Sequence, residues 1–422
     1  MRRSRAITLV LAACVLPRVA VAVHEKAALL LVPEKSDIIA RLLVRTGTFG
    51  FVPGEPSAYT QPLYGWFLAT IYWTLGRNWW SLSTAQIAVS AATAVLVYEI
   101  GRRYLTGRIG LIAALLWTLQ PYLVWHDLHV NREILDQLLG AGMFALALVA
   151  AGSSRLRPAL LLGAVTGVAI LSNTRLVALP IAFGLYLLWR RSGWIAALLV
   201  PVLALVMLAP WMVRNKAQVG CVAITTDARA LWKANNLGTY DTLRHGLWID
   251  DVPDIPQRQQ DPRPLLWYTP QEAGTYYDTH GVQIPLDECA QEHHYEHLVV
   301  QFLEHHPVEK VKLMVQATEM LWDPRLRLDN GASSGSTQVR RYAEPLYVIP
   351  LYLLAIAGLF LVTPAFRVLA GTFLVYETLA AWVFAGTTRY RVPWDFVLAL
   401  LAAAAIDRMP WSRWPVRRPP SQ

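Results

Sequence analysis

Carboxylate and guanidinium side chains recur in five short stretches of this 422-residue chain, each beside an apolar run. The stretches are "PEKSDIIARL" (33–42), "HDLHVNREILDQ" (126–137), "LSNTRL" (171–176), "APWMVRNK" (209–216) and "GTTRYRVPWD" (386–395). Arginine binds phosphate through a two-pronged fork, and a carboxylate can take a proton from an attacking hydroxyl group. If the fold brings these stretches together, they suit a reaction on a phosphate group.

The elements that must position these stretches are long apolar runs. With 55% hydrophobic and only 16% charged residues, the composition is that of a polytopic membrane protein. Ten runs approach the ~20 residues that cross hydrocarbon: 6–22, 81–100, 109–125, 134–151, 158–171, 176–189, 193–212, 346–362, 368–386 and 392–406. We therefore predict an all-α polytopic fold of about ten transmembrane helices.

Two membrane modules flank one long polar interval in this prediction. The N-terminal module (1–212) has seven spans and includes the first outer loop (23–80), in which we expect juxtamembrane helices. The interval 213–345 has the size of a small domain, which we expect to be mainly helical and outside the membrane. The C-terminal module (346–407) has three spans and precedes a basic tail (408–422).

The side of the membrane depends on whether 62–76 crosses it. As a helix this stretch rises only ~22 Å, short of the ~30 Å hydrocarbon core. If it lies flat outside, all the basic segments face the cytoplasm, as the positive-inside rule expects: "MRRSR", "GRRYLTGR" (101–108), "GSSRLRP" (152–158), "WRRSG" (189–193), "TPAFR" (363–367) and the tail. These segments hold 15 of the 38 Lys and Arg residues. We therefore expect both termini in the bacterial cytoplasm and the five polar stretches at the outer face.

This topology also accounts for the net charge of +9. The outer interval has no basic stripe interleaved with aromatic residues, so the composition does not indicate a nucleic-acid partner.

"LAAC" (11–14) and "AVA" (20–22) resemble processing sites after a basic start. We expect an uncleaved first span, because apolar sequence continues past Cys14 and because Pro17 and Arg18 interrupt the run.

The residues in and around these stretches resemble the membrane-embedded GT-C superfamily of glycosyltransferases, and within it the protein mannosyltransferase and aminoarabinose transferase group. The shared features are an acidic first outer loop (Asp37), a proline-opened helix ("QPLYG", 61–65), an acid in the second outer loop (Glu133) and two boxes, "PWMVRN" (210–215) and "RYRVP" (389–393). Ser36 precedes a single Asp37 where many members carry an Asp-Glu pair, and Gln61 replaces the first proline of a pair.

The resemblance implies inverting transfer of a sugar from a polyprenyl-phosphate donor to an acceptor lipid, protein or polysaccharide. Asp37 is the expected general base, with Glu133 as the reserve or as a residue that orients the acceptor or a bound cation. The expected ligands of the donor phosphate are Arg389, Tyr390, Arg391 and, more weakly, Arg214. Other expected substrate contacts are Tyr59, Tyr64, Arg175 and Asn215. No cofactor is required, and the sequence indicates no metal site.

Each of these residues also has a structural interpretation. Asp37 could be the N-cap of a surface helix over 38–46, and Glu133 could stabilise the N-terminus of the fourth span. Arg214 could cap the C-terminal end of the seventh span. Arg389 and Arg391 could be interfacial anchors whose charged ends reach the headgroups.

The outer interval contains two further motifs. Cys221 and Cys289 could form a disulfide in an oxidising compartment or remain two buried thiols. "HHYEH" (293–297) fits an inverted zinc-protease pattern, but it is better explained by an amphipathic helix. The residues expected to face inward are Tyr295, Leu298, Val299, Phe302 and Leu303. Pro307 is expected to begin a second helix that runs towards Trp322.

Two ionisable residues lie deeper, Arg18 in the first span and Glu377 in the ninth. Such groups are costly in a membrane and are usually functional or paired, and a pair between these two is conceivable.

A transporter or flippase of a lipid-linked or anionic substrate would also have many spans, but we find no corresponding broken helices in the two halves. A membrane scaffold would need no cluster of arginine and carboxylate at its outer side.

Overall fold

The computed structural model describes residues 2–26, 34–252, 275–277, 283–285, 288–325 and 335–409. Helices dominate this part of the chain, and its strands form two small antiparallel pairs. The all-α prediction is confirmed.

Helices α1 to α10 and one short hairpin make up the N-terminal module. In chain order they are α1 (Arg3–His24), α2 (Lys35–Thr46), β1 (Gly50–Val52), β2 (Glu55–Pro56), α3 (Pro62–Leu75), α4 (Trp79–Tyr104), α5 (Gly107–Thr118), α6 (Pro121–His126), α7 (Glu133–Ala151), α8 (Arg157–Ser172), a 3₁₀ turn (Thr174–Leu176), α9 (Leu179–Trp189) and α10 (Trp194–Gln218).

The interval 213–345, which is predicted to lie outside the membrane and is named the outer domain for that reason, and the C-terminal module follow. The outer elements are α11 (Ala228–Lys233), α12 (Thr239–Arg244), a 3₁₀ turn (Ile249–Asp251), β3 (Thr275–Tyr277), β4 (Gln283–Pro285), α13 (Glu288–His305) and α14 (Pro307–Trp322). The last module contains α15 (Gly335–Leu359), α16 (Pro364–Val383), α17 (Thr388–Arg391), a 3₁₀ turn (Val392–Trp394) and α18 (Asp395–Arg408).

Helices overlap all ten predicted spans. Within the described residues, six helices are long and apolar enough to cross a membrane: Arg3–His24, Trp79–Tyr104, Glu133–Ala151, Trp194–Gln218, Tyr342–Leu359 and Pro364–Val383. The predicted third span, 109–125, is divided between α5 and α6. The reason is Pro121, which has no N–H to continue the hydrogen-bond ladder and begins α6 instead.

The two membrane modules share one core. The ring of Phe144 on α7 lies 5.1 Å from that of Phe366 and 5.3 Å from that of Phe373 on α16, and 5.7 Å from that of Phe396 on α18. These edge-to-face contacts tie α7 to both C-terminal helices. The two modules therefore fold as one body around α18, whose residues are almost all buried.

Helix α3 is the stretch whose orientation decides the sidedness. Its 14 residues are too few to cross a ~30 Å core. It packs against α2 and buries Tyr64, Leu68 and Tyr72, while Trp66 and Trp73 remain exposed. Exposed tryptophans suit a headgroup region, as expected for a helix that lies on the membrane surface. That this surface is the outer one stays a prediction.

In the outer domain, Cys221 and Cys289 are joined by a disulfide, which decides between the two alternatives. Next to it, Glu288 accepts hydrogen bonds from the Ala58 N–H at 2.9 Å and from the Thr226 hydroxyl at 2.7 Å. The start of α13 is therefore bonded to the first outer loop of the membrane module.

Helices α13 and α14 follow the predicted pattern with one exception. Tyr295, Val299 and Phe302 are buried, but Leu303 is 43% exposed, so its inward assignment was wrong. The second helix begins at Pro307 as predicted. Within the described residues, no His, Cys, Asp or Glu side chains form a group of three that could hold a metal ion.

Candidate functional site

An ion pair between Glu133 and Arg389 joins two stretches that are 256 residues apart in the chain. Nε and Nη2 of Arg389 donate to the two carboxylate oxygens at 2.7 and 3.2 Å. Burial opposes the charge of Arg389, but the Glu133 carboxylate holds the guanidinium pKa well above its usual value. One third of the Arg389 side chain stays exposed, and Nη1 donates to no described residue. Arg389 can therefore still bind an anion.

The loop before Glu133 places two more basic groups around it. Nε2 of His126 lies 3.8 Å and Nε of Arg132 4.0 Å from the Glu133 carboxylate. Nη1 of Arg132 donates to Gln61 at 2.7 Å, and Gln61 in turn donates to the Thr174 hydroxyl at 3.0 Å. The glutamine that replaces a proline in the family motif therefore joins α3 to this loop.

Asp127 anchors the same loop inside the membrane module. Its carboxylate accepts two hydrogen bonds from Arg18, at 2.7 and 3.0 Å, and one each from Ser90 and Gln137. The prediction that Arg18 could pair with Glu377 is therefore wrong. Arg18 pairs instead with Asp127, the residue that follows α6. A fully bonded buried ion pair holds the loop in one geometry.

Tyr64 supports this loop as well. Its hydroxyl donates to Gln86 at 2.8 Å and accepts from the Asn131 N–H at 2.9 Å, two residues before Glu133. Tyr64 is also almost completely buried. The structure thus gives it a supporting place beneath the loop, whereas the sequence predicted a substrate contact.

Glu34 lies in the stretch 33–42 and joins the candidate site, although it is not among the residues predicted from the sequence. It immediately precedes α2, and Arg389, Glu133 and His126 act on it electrostatically. Burial raises the pKa of its carboxyl group, with Arg389 acting in the opposite direction. Its side chain makes no hydrogen bond or ion pair with the described part of the chain. The signal that could have identified Glu34 is its place in "PEKSD", within one helical turn of Asp37, the predicted base.

Asp37, the predicted general base, is 2% exposed, and both of its carboxylate oxygens accept hydrogen bonds. Arg77 donates to them in a fork, at 2.9 Å on each side, and the Tyr72 hydroxyl donates at 2.6 Å. The N-cap alternative is wrong, because α2 begins at Lys35 and Asp37 lies inside its first turn. These contacts join α2 to α3, so the geometry favours a structural role for Asp37 over that of a base.

Arg175 and Tyr390 meet beside the ion pair. The guanidinium carbon of Arg175 lies 3.4 Å from the centre of the Tyr390 ring, and Nη1 donates to the Ala385 carbonyl at 3.3 Å. The other guanidinium N–H groups of Arg175 donate to no described residue. Because Tyr390 follows Arg389 in the chain, it connects Arg175 to the residue that pairs with Glu133, and Glu133 acts electrostatically on Arg175 as well.

Arg391 lies away from this group. It is almost completely buried, 3.2 Å from the Asp395 carboxylate, and donates to the main-chain carbonyls of Leu321 and Asp323. These bonds tie α17 to the end of α14. Its predicted contact to the donor phosphate stays a prediction.

Arg214 and Asn215 lie near the C-terminal end of α10, and Tyr59 follows the β1–β2 hairpin. Arg214 donates to the carbonyls of Ser57 at 2.7 Å and Phe49 at 3.0 Å. Asn215 donates to a carbonyl in the loop after α10, and Tyr59 is buried with the Lys35 ammonium 4.7 Å above its ring. These predicted ligands thus hold the loop in place and are not part of the Glu133 group.

Comparison with known proteins gives one family. Residues 55–213 match the family model described as dolichyl-phosphate-mannose-protein mannosyltransferase. The resemblance to the GT-C mannosyltransferase group is confirmed over these residues, which include Gln61, Glu133 and Arg175. Among curated proteins, none matches the chain significantly.

One solved structure that is similar to the chain is the crystal structure of ArnT from Cupriavidus metallidurans bound to undecaprenyl phosphate. The sequence identity is 15% and the TM-score 0.42, and the alignment covers 93% of this chain and 77% of that one.

Proposed function

We propose that this protein is a membrane glycosyltransferase that moves one sugar from a polyprenyl-phosphate donor to an acceptor at the outer face of the membrane. The match to a family named for a dolichyl-phosphate sugar supports the donor class. The observation that carries the proposal is the group around the Glu133–Arg389 pair: arginines that keep N–H donors free of the described residues, and a carboxylate, Glu34, on which Arg389 acts electrostatically and which is bonded to no residue that the structure describes.

The donor phosphate binds to Arg389 and Arg175, with Arg132 nearby. A polyprenyl phosphate that leaves the sugar gains negative charge, and fixed guanidinium groups stabilise that charge most in the transition state. Arg389 and Arg175 keep N–H groups for a ligand, whereas Arg214 donates to the main-chain carbonyls of Ser57 and Phe49 and Arg391 is only 1% exposed. We therefore place the phosphate site at Arg389 and at Arg175, whose guanidinium lies over the ring of Tyr390, the next residue in the chain after Arg389.

Glu34 is the general base of this proposal. In an inverting displacement the base takes the acceptor proton on the side opposite the departing phosphate. A carboxylate whose pKa is raised by burial is a stronger proton acceptor than an ordinary one at neutral pH. Glu133 holds Arg389 in place, and the predicted role of Asp37 as base passes to Glu34.

The acceptor approaches from outside, and the membrane is the bacterial cytoplasmic membrane. The support is the charge pattern: with 62–76 on the outer surface, the predicted topology puts the basic segments that join the spans together on the cytoplasmic side, as the positive-inside rule expects.

Binding of undecaprenyl phosphate to the purified protein in lipid nanodiscs tests the phosphate site. Arg389→Lys keeps the charge but loses the fork, so we expect affinity to fall by about tenfold. Arg108→Lys, a surface arginine paired with Asp407, is the matched control and should bind as the wild type does. Equal affinity of Arg389→Lys and the wild type would remove Arg389 from the site. Movement of the lipid across vesicles without sugar transfer would instead indicate a flippase.

A further inference from the structure

Glu377 is a buried carboxylate that the proposed chemistry does not use. It lies within the last two turns of α16, on a helix long and apolar enough to cross the membrane, and is 3% exposed. Its carboxylate makes no hydrogen bond or ion pair with any residue that the structure describes. A buried acid without a partner is costly, above all in a membrane, and such groups are usually functional.

The neighbours of Glu377 connect it to the phosphate site. The next residue back, Tyr376, donates its hydroxyl to the Arg175 carbonyl at 2.7 Å and accepts from the Ala178 N–H at 3.1 Å. These bonds hold α16 against the turn that presents Arg175. The guanidinium of Arg175 then acts electrostatically on Glu377 without forming an ion pair within 4 Å.

A second acid in this region, Asp136, shows the contrast. Its two oxygens accept from the Ser172 hydroxyl at 2.6 Å and the Asn173 amide at 3.0 Å. Asp136 is therefore satisfied within the protein. Glu377, which interacts with Asp136 electrostatically, accepts a hydrogen bond on neither oxygen from the part of the chain that the structure describes.

We infer that Glu377, together with Arg175, forms a subsite for the hydroxyl groups of the sugar on the donor; this rests on the proposed function. A carboxylate can accept hydrogen bonds from two adjacent hydroxyls. The prenyl chain has no hydrogen-bond donors, and an ionised phosphate is repelled by a carboxylate. The sugar is the part of the donor that can satisfy Glu377, while Arg175 extends from the phosphate to the sugar.

This subsite determines which sugars are accepted. A site built to hydrogen-bond a hydroxyl rejects an analogue without it, because the buried polar group is left unpaired. Glu377 should therefore contribute to binding of the sugar-bearing donor and not to binding of the bare lipid phosphate.

The test compares undecaprenyl phosphate with its mannosyl, glucosyl, galactosyl and arabinosyl forms. The wild type should bind at least one sugar form more tightly than the bare lipid. Glu377→Gln should weaken that form by about tenfold or more, and Glu377→Leu further, while both variants bind undecaprenyl phosphate normally. Glu344→Gln is the control, since this buried acid already accepts from Gln120 and the Tyr122 N–H, and it should leave the preference unchanged.

Three results would overturn the inference: no sugar form binds better than the bare lipid, both lipids weaken equally in the Glu377 variants, or neither weakens. A wild type that binds neither kind of lipid would contradict the proposed function itself. Unfolding midpoints of all variants, measured in the same nanodiscs, show whether a uniform loss reflects misfolding.

Discussion

At the scale of single residues, Glu34 and Asp37 differ in what their carboxylates contact. Asp37 is bonded to Arg77 and Tyr72 on both oxygens, whereas Glu34 is bonded to no described residue and is influenced electrostatically by Arg389 and Glu133. A base must have a free oxygen and access to the acceptor. The two residues therefore lend themselves to opposite tests.

Glu34→Gln should lower sugar transfer by about a hundredfold and leave undecaprenyl phosphate binding intact, because it removes the proton acceptor only. Since burial raises the Glu34 pKa, wild-type turnover should fall as the pH drops through that raised pKa. A pH–rate profile measured beside binding checks both points. Unchanged transfer by the variant would exclude Glu34 as the base.

Asp37→Asn should act on stability. The loss of the charge facing Arg77 should reduce the free energy of unfolding by about 1–3 kcal/mol, with little change in turnover at a temperature where the variant is folded. Denaturant unfolding and single-turnover transfer measure the two quantities. A hundredfold loss of transfer at normal stability would instead return the role of base to Asp37.

At the scale of elements, α13 is bonded to its surroundings through carboxylates. Glu292 accepts from the Ala228 N–H at 2.7 Å, and burial raises its pKa to about 8, with nearby acids adding to the rise. Because the ordinary value is 4.5, the folded state binds more protons than the unfolded state between these pH values. Its contribution to stability is present at low pH and is lost as the pH rises towards 8.

Glu292→Gln should therefore stabilise the outer domain at pH 8 relative to the wild type and flatten the pH dependence of unfolding. Unfolding midpoints between pH 5 and about 8, the window that the two pKa values define, measure this. Glu319→Gln, an exposed acid on α14, should follow the wild type. A variant with the same pH slope as the wild type would show that Glu292 is not the group responsible.

At the scale of the whole molecule, the prediction concerns sidedness. Cysteines placed at Gly107 and Ser154 should resist an impermeant thiol reagent on intact cells, because both lie in segments assigned to the cytoplasm. A cysteine at Gln301, exposed on α13, should react. The free Cys14 is buried and should give little background. Labelling of the first two positions but not the third would invert the topology and place the site inside.

The sequence by itself determined the features that depend on local composition. Apolar runs predict helices because a chain in lipid must satisfy its backbone internally, and the first turn of α14 follows from Pro307, whose fixed φ suits a helix start. The "QPLYG" (61–65) and "PWMVRN" (210–215) boxes were recognisable for the same reason, because each is a contiguous stretch of the chain.

Only the tertiary structure decided which side chains meet. Arg389 and Arg391 are two positions apart, but on the short α17 they point about 200° apart, given ~100° per residue, so one meets Glu133 and the other Asp395. Likewise Glu34 and Asp37 share one helix start, yet Glu34 is influenced electrostatically by Arg389 of a distant segment and Asp37 is bonded to Tyr72 on α3 and to Arg77. Those partners come from remote parts of the chain, and their positions are set by how the helices pack, which no local pattern encodes.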